Sequence, residues 1–285
     1  MMVRLSIMAL ALGLSTPAMA DPTYSVERRG QEDQRSVIFI PGLASHGDVW
    51  HDTADSLDVD AHIVTLAGFG GLAPAERTDS VVETAVADIS AYIEAEGLDD
   101  VVLVGHSMGA QIALQVAAAE PDEVSAVVVV DSAPFFARLF NPVITADQAR
   151  TYGQSMSAQM ASMPRESWLA TSRQGLPIQS MTAQGQARVM SWMEASDQAT
   201  VATAFGEIAG TDFSPVLAEV QAPVRILIAW SPAMPVSGEQ IEAGYAAQYA
   251  TLPDYDIVRI EPSQHFIMLD QSEAFTAQLR QVLAQ

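Results

Sequence analysis

Uninterrupted apolar runs, rather than alternating apolar and polar positions, mark the strands of this chain. Such runs are typical of strands covered on both faces, which form mostly parallel sheets flanked by helices. We therefore predict an α/β fold with a mostly parallel sheet and helices on both of its faces. The predicted strands are Ser36–Ile40, Ala61–Leu66, Val101–Val104, Ala126–Val130, Arg225–Ala229 and Ile257–Ile260.

A helical period appears between the second and third of these strands. Val82, Val86, Ile89 and Ile93 recur at intervals of three and four residues, so one face of a helix over 81–96 is apolar. Gly97 follows directly, in the position where glycine commonly ends a helix. The apolar face predicts packing against the sheet.

The region 135–212 interrupts the alternation of strands and helices. It contains no strand-like run, is rich in Met, Gln, Ala and Ser, and is divided by prolines that separate helices. We predict that it forms a helical cap over a core made of 21–134 and 213–285. The dividing pairs are Asn141-Pro142, Met163-Pro164 and Leu176-Pro177.

Methionines of this cap fall on one helical face, at Met156, Met160 and Met163. They are interpreted either as a plain packing face or as a flexible apolar lining over a substrate pocket, since methionine adapts to varied shapes. On the second interpretation Met156 and Met160 are candidate substrate-binding residues, and the cap shapes the pocket.

The composition narrows the classes of partner. The chain has 285 residues, 49% of them apolar, and a formal net charge of −22 from 35 acidic and 13 basic residues. This acidity disfavours nucleic acid and anionic membrane surfaces as partners. There is no cysteine, so disulfides and thiol chemistry are excluded.

The first twenty residues have the pattern of a secretory signal peptide. Arg4 supplies the positive charge, Leu5–Leu14 the apolar stretch, and Ala18-Met19-Ala20 the small-residue cleavage site. We predict that 1–20 is removed near Ala20 and that the protein is exported to the periplasm or secreted. An uncleaved N-terminal anchor is the alternative. The mature chain is expected to carry no membrane span.

A serine stands at the turn between a predicted strand and a predicted helix. Val101–Val104 is followed by Gly105-His106-Ser107-Met108-Gly109 and then by a helical stretch. Glycines on both sides of a serine permit the sharp, strained turn that exposes a nucleophilic hydroxyl. Ser107 is therefore the candidate nucleophile. A glycine-rich turn holding an ordinary serine is the alternative.

This elbow and the order of the elements resemble the α/β-hydrolase superfamily, and in particular its capped, esterase-like members. The resemblance implies an eight-stranded, mostly parallel sheet with the cap inserted after strand 6. It also implies a Ser–acid–His triad in that chain order. His265 is the one histidine after Ser107, and it lies in the loop that follows the last predicted strand. It is the candidate base.

The resemblance also points to an oxyanion hole, which needs two backbone N–H donors. One donor is expected from Met108, directly after the nucleophile. The other is expected from Leu43, in the Pro41-Gly42-Leu43 loop that follows the first predicted strand. His46, in the same loop, either lines the substrate pocket or is exposed to solvent.

The triad acid departs from the usual pattern of the family. The segment Ala229–Pro235, which follows the strand where most relatives carry the acid, contains no carboxylate. Asp131 follows four valines and so lies at the carboxyl end of a buried strand, where ligands bind in such sheets. Asp131 is the candidate acid. It alternatively caps the next turn, and the remaining candidates are Glu239, Asp254 and Asp270.

These features together predict a serine hydrolase that cleaves carboxylic esters of small molecules through an acyl-enzyme on Ser107. An amidase, a C–C hydrolase or a perhydrolase with the same triad is an alternative, as is a non-catalytic binding protein of this fold. No cofactor and no metal ion is predicted, because no pattern of metal ligands or of phosphate binding was found. The oligomeric state is left open.

Overall fold

The computed structural model describes residues 23–76 and 79–285 of the chain; the predicted signal segment lies outside them. Seven strands form one sheet in this part of the chain. They are β1 (Tyr24–Gly30), β2 (Ser36–Ile40), β3 (Asp60–Leu66), β4 (Val101–His106), β5 (Val124–Val130), β6 (Val224–Ala229) and β7 (Tyr255–Ile260).

The sheet is parallel except at one edge. Its strand order is β1-β3-β2-β4-β5-β6-β7, and only β1 runs antiparallel to its neighbour, β3. The predicted α/β fold with a mostly parallel sheet is therefore confirmed. The family-based count of eight strands differs from the seven of the described residues, because a single strand precedes β2 there. The cap consequently follows the fifth strand of this sheet rather than the sixth.

The helices alternate with the strands and also build the cap. In chain order the α-helices are α1 (His51–Asp55), α2 (Val81–Glu96), α3 (Met108–Ala119), α4 (Ala146–Ser162), α5 (Arg165–Gln174), α6 (Leu176–Gln179), α7 (Ala183–Ala195), α8 (Gln198–Gly210), α9 (Gly238–Tyr249), α10 (Ile267–Asp270) and α11 (Ser272–Leu283). Short 3-10 helices cover Gly47–Trp50, Phe136–Leu139 and Ser214–Glu219.

The helix predicted over 81–96 has those bounds as α2. Ser80 accepts a hydrogen bond from the Glu83 N–H at its start, and Gly97 ends it at φ 62°. This left-handed conformation strains any residue with a Cβ atom, which is why glycine ends the helix.

Two apolar clusters cover the two faces of the sheet. Successive residues of a strand point to opposite faces, so Ile38 joins one cluster with α2 and α3 while Phe39 joins the other with α11. Helices therefore lie on both faces, as the uninterrupted apolar runs predicted. The candidate residues at the carboxyl ends of β4 and β5 lie at one edge of this packed layer.

The segment between β5 and β6 is helical and packs partly on itself. Gly153 of α4 is buried against α8, where a methyl group in its place would lie 2.3 Å from the backbone oxygen of Gly206. The two helices therefore cross at backbone contact. On its other side α8 reaches the core, because the Glu207 carboxylate accepts hydrogen bonds of 3.0 Å from the Val81 and Val82 N–H groups at the start of α2.

Candidate active site

Ser107 lies in a strained turn between β4 and α3. Its φ is 54°, in the region that residues with a side chain seldom occupy. The flanking glycines have no room for a side chain: a methyl group at Gly105 would lie 2.3 Å from the Gly109 oxygen, and one at Gly109 2.3 Å from the Ile40 oxygen. The sequence thus folds into a sharp elbow because only glycine fits on both sides of the serine.

Asp131 and His265 meet at the carboxyl ends of the strands. Asp131 directly follows β5, and His265 lies in the loop between β7 and α10. The Nδ1 atom of His265 is 2.7 Å from Oδ2 of Asp131. A carboxylate accepts hydrogen bonds only, so the imidazole holds its proton on Nδ1 and presents Nε2 as an acceptor. This is the orientation that a general base needs.

The second carboxylate oxygen of Asp131 is also occupied. Its Oδ1 atom accepts from the Ala229 N–H at 3.0 Å and from the Tyr245 hydroxyl at 3.3 Å. None of the described hydrogen bonds of this carboxylate goes to the turn that follows β5, which the alternative capping role would require. Tyr245 is buried, and burial followed by the Asp131 charge raises its pKa well above the usual value, so its hydroxyl stays a donor.

The other candidate acids lie elsewhere. Glu239 is exposed in the first turn of α9, where a hydrogen bond from its own backbone N–H lowers its pKa. Asp254 is exposed before β7. Asp270 bonds the backbone N–H of Gln264, next to His265, and not the imidazole.

His106 links the elbow to the loop of His265. Its Nε2 atom is 3.0 Å from the backbone oxygen of His265, and the two imidazole centroids are 4.5 Å apart. His265 is thereby held next to the residue that precedes Ser107. The Ser107 hydroxyl makes no hydrogen bond within the described residues, as is common before a substrate tightens such a site.

Burial keeps His106 neutral. The side chain is 1% exposed, and desolvation, followed by the neighbouring His265, lowers its pKa well below the usual value. Its Nε2 donates to a carbonyl oxygen, so its Nδ1 carries no proton, and this buried atom has no partner in the described part of the chain. A neutral ring here adds no positive charge beside the candidate base.

The loop after β2 packs against the elbow. A methyl group at Gly42 would lie 3.2 Å from Cβ of Ser107, which is a closer approach than most side chains allow. The next residue is Leu43, and neither its N–H nor that of Met108 donates a hydrogen bond among the described residues. Two unpaired N–H groups beside the serine are what an oxyanion hole requires.

The predicted substrate-binding residues have other contacts in the structure. His46 begins the 3-10 helix Gly47–Trp50, and its Nδ1 accepts from the Asp48 N–H at 3.0 Å. Met160 is half-buried and packs, with Met163, against the main core cluster, while Met156 is half-buried outside it. The packing face that was one interpretation of the methionines therefore accounts for Met160. Substrate binding by these residues stays a prediction.

Two contacts of the site were not predicted from the sequence. Tyr245 bonds the Asp131 carboxylate from α9, and the cap helix α6 bonds the backbone of the loop that holds His265. Neither a tyrosine within a helix nor a short helix that begins with Leu176-Pro177 carries a pattern that points to a distant carboxylate or histidine. Only the folded arrangement brings them together.

Comparison with known proteins identifies the family. Residues 37–278 match the model of a family described as "Alpha/beta hydrolase family". The chain belongs to this family. The match includes the strands that directly precede Ser107 and Asp131, and the loop of His265.

Its relatives include lipases, esterases and other hydrolases. The chain is 34% identical to Lipase LipV of Mycobacterium tuberculosis over 38% of its own length and 41% of that protein, so less than half of the lipase is matched. It is 24% identical to an N-formylmaleamate deformylase of Pseudomonas putida over 85% of its length and 86% of that protein. A solved thermophilic esterase from Thermogutta terrifontis shares the fold, with a TM-score of 0.73 at 18% identity, covering 95% of this chain and 96% of that one.

Neither a membrane-crossing helix nor a metal site is found in the described ranges. No helix there combines the length and the apolar character needed to cross a bilayer. No group of three or more histidine, aspartate or glutamate side chains there could hold a metal ion.

Proposed function

We propose that the protein is a serine hydrolase that cleaves carboxylic esters of small molecules through an acyl-enzyme on Ser107. Family membership and the hydrolases among its relatives support a hydrolase of this fold. The observation on which the proposal rests is the 2.7 Å hydrogen bond between His265 Nδ1 and Asp131 Oδ2, beside the Ser107 elbow.

The first step would be attack of Ser107 on the ester carbonyl. His265 accepts the hydroxyl proton at Nε2, because its Nδ1 proton is held by Asp131. The carbonyl oxygen becomes negative as the C–O bond to serine forms, and the N–H groups of Leu43 and Met108 would bind it. The imidazolium that results is stabilised by the Asp131 charge.

The second step would release the alcohol and then the acid. The imidazolium donates its proton to the leaving alkoxide as the ester C–O bond breaks, which leaves an acyl group on Ser107. His265 next removes a proton from a water molecule, whose oxygen attacks the acyl carbonyl. Collapse of this second intermediate returns the proton to Ser107 and frees the carboxylic acid.

One observation favours a second candidate reaction. The relative that matches this chain over 85% of its length is named as a deformylase rather than as an esterase. Hydrolysis of an N-formyl group would use the same three residues, with nitrogen as the leaving atom. A test of the proposed function must therefore include an N-formyl amide beside the esters.

A substrate panel and one variant test the proposal. p-Nitrophenyl esters of increasing acyl length and an N-formyl amide are assayed with the wild type and with Ser107→Ala. We expect ester turnover by the wild type and a fall in kcat of about 10³-fold or more in the variant, with an unchanged circular dichroism spectrum. Stoichiometric labelling by a fluorophosphonate should occur only in the wild type. Full turnover by a folded Ser107→Ala variant would refute the proposal.

A further inference from the structure

The cap and the loop of the candidate base share a cluster of hydrogen bonds around one carboxylate. Asp270, at the end of α10, accepts from the Ser180 hydroxyl at 2.6 Å and from the Met181 N–H at 3.0 Å. Both of these donors belong to the cap. The same carboxylate accepts from the Gln264 N–H at 2.9 Å, in the loop of His265.

Backbone hydrogen bonds reinforce this connection. The N–H of His265 donates to the Ile178 oxygen at 3.3 Å, and that of Phe266 donates to the Gln179 oxygen at 2.8 Å. On its other side, the backbone oxygen of His265 is bonded by His106. Both backbone polar groups of the candidate base are thus held, one by the cap and one by the core.

Burial makes this connection costly to break. Ser180 is fully buried and Gln264 is 7% exposed, so water is kept from their polar groups. Donors that are left without an acceptor in such a place carry the full cost of desolvation. Displacement of residues 176–181 would therefore shift the loop that holds His265 rather than merely open a path to it.

We propose that Asp270 is a positioning residue that fixes His265 through the cap segment 176–181, a role that rests on the proposed function of His265 as the base. The cap is then part of the support of the catalytic base, not only a cover over the substrate. A cap that moves away at this segment would switch off general-base catalysis.

A matched pair of cap-to-core carboxylates tests this role. Asp270 and Glu207 both join cap and core by accepting backbone N–H groups, but Glu207 does so at the start of α2. The variants are Asp270→Ala, Ser180→Ala and Glu207→Ala. Each is measured for Tm, for kcat and KM on a short acyl ester, and for the downfield proton NMR signal of His265 Nδ1–H.

We expect Asp270→Ala to lower kcat by about 10- to 100-fold with KM changed less than about 2-fold, because a small displacement of a catalytic group has effects of this size. Its Nδ1–H signal should shift or broaden. Ser180→Ala should do the same to a smaller extent. Glu207→Ala should lower Tm while kcat and the NMR signal stay as in the wild type.

The proposal is overturned if Asp270→Ala keeps the wild-type kcat and NMR signal, or if Glu207→Ala changes both equally. If Asp270→Ala does not fold, Ser180→Ala decides between the same two outcomes. The NMR signal does not depend on turnover. An inactive or Ser107-independent enzyme therefore contradicts the proposed function, while an undisturbed signal in the folded variant contradicts the positioning role.

Discussion

Asp131 has a φ of 46°, a left-handed conformation that aspartate tolerates better than most residues. At this position the chain leaves β5 while the carboxylate turns toward the end of β6 and the loop of His265. On the proposed function, an acid at the end of β5 takes the place of one after β6, where the segment Ala229–Pro235 has none. The left-handed backbone conformation of Asp131 is what directs its carboxylate toward His265 from this alternative position.

Replacing Asp131 by asparagine tests its role. Its side-chain amide has one oxygen and one NH2 group. If the NH2 group faces His265 Nδ1, it forces the wrong tautomer of the imidazole. If it faces the Ala229 N–H, two donors oppose each other and that hydrogen bond is lost. We expect Asp131→Asn to lose about 10³- to 10⁴-fold in kcat while staying folded. Steady-state kinetics with circular dichroism measure this. Glu239→Gln, at an exposed position of α9, is the control and should behave as the wild type. An Asp131→Asn enzyme of near-normal kcat would remove Asp131 from the triad.

At the scale of residues, the candidate site residues that could be predicted are those that a pattern in the neighbouring sequence indicates. Ser107 follows from its two glycines, and His265 from its place after the last predicted strand. Asp131 could be proposed because four valines precede it. Tyr245 could not be found, and Asp270 was named only as an alternative acid, because the contacts of Tyr245 with Asp131 and of Asp270 with Ser180 join residues that are distant in sequence.

At the scale of elements, strands buried on both faces were predicted well and the edge strand was missed. β1 contains Glu27, Arg28 and Arg29 and is largely exposed, so its sequence has no apolar run. It is held by antiparallel pairing with β3, from Tyr24 opposite Leu66 to Gly30 opposite Asp60. Pairing with a distant strand leaves little trace in the local pattern of a half-exposed strand.

The crossing of α4 and α8 provides a test of the packing of the cap. Gly153→Ala would place a methyl group 2.3 Å from a backbone oxygen that cannot move aside, so we expect a loss of about 1–3 kcal/mol in the free energy of unfolding. Gly244→Ala, in helix α9, meets nothing within 4 Å and should gain about 0.5–1 kcal/mol. Urea unfolding of the two variants measures both changes. Equal effects of the two substitutions would show that α4 and α8 do not cross at backbone contact.

At the scale of the whole molecule, half-buried Glu207 and buried His106 give its stability opposite dependences on pH. Burial raises the pKa of Glu207, with a smaller contribution from the charge of Glu83, so the folded state binds a proton more readily than the unfolded state. Its contribution to stability is present below pH 4.5 and is lost as the pH rises through the raised pKa. Burial lowers the pKa of His106, whose contribution is present above pH 6.5 and is lost as the pH falls.

Glu207→Gln separates these two effects. Glutamine stays neutral and His106 is unchanged, so the difference in unfolding free energy between wild type and variant contains only the titration of Glu207. We expect this difference to move against the wild type as the pH rises from 4.5 and then to become constant. Urea unfolding at a series of pH values between 4 and 8 measures it. Parallel curves for the two proteins would show that the pKa of Glu207 is not raised in the folded state.

The position of Asp131 also bears on how such a protein can be recombined. The residue lies near the end of the core segment 21–134, and only three residues separate it from Phe135, where the cap begins. A chimaera whose crossover lies before Asp131 therefore exchanges the acid together with the cap, whereas one that begins at Phe135 keeps it. In either case the incoming cap must supply the hydroxyl and N–H groups that donate hydrogen bonds to Asp270. Proteins that supply a cap for such an exchange should accordingly be chosen first by their residues at positions 180 and 181, and only then by the shape of their pocket.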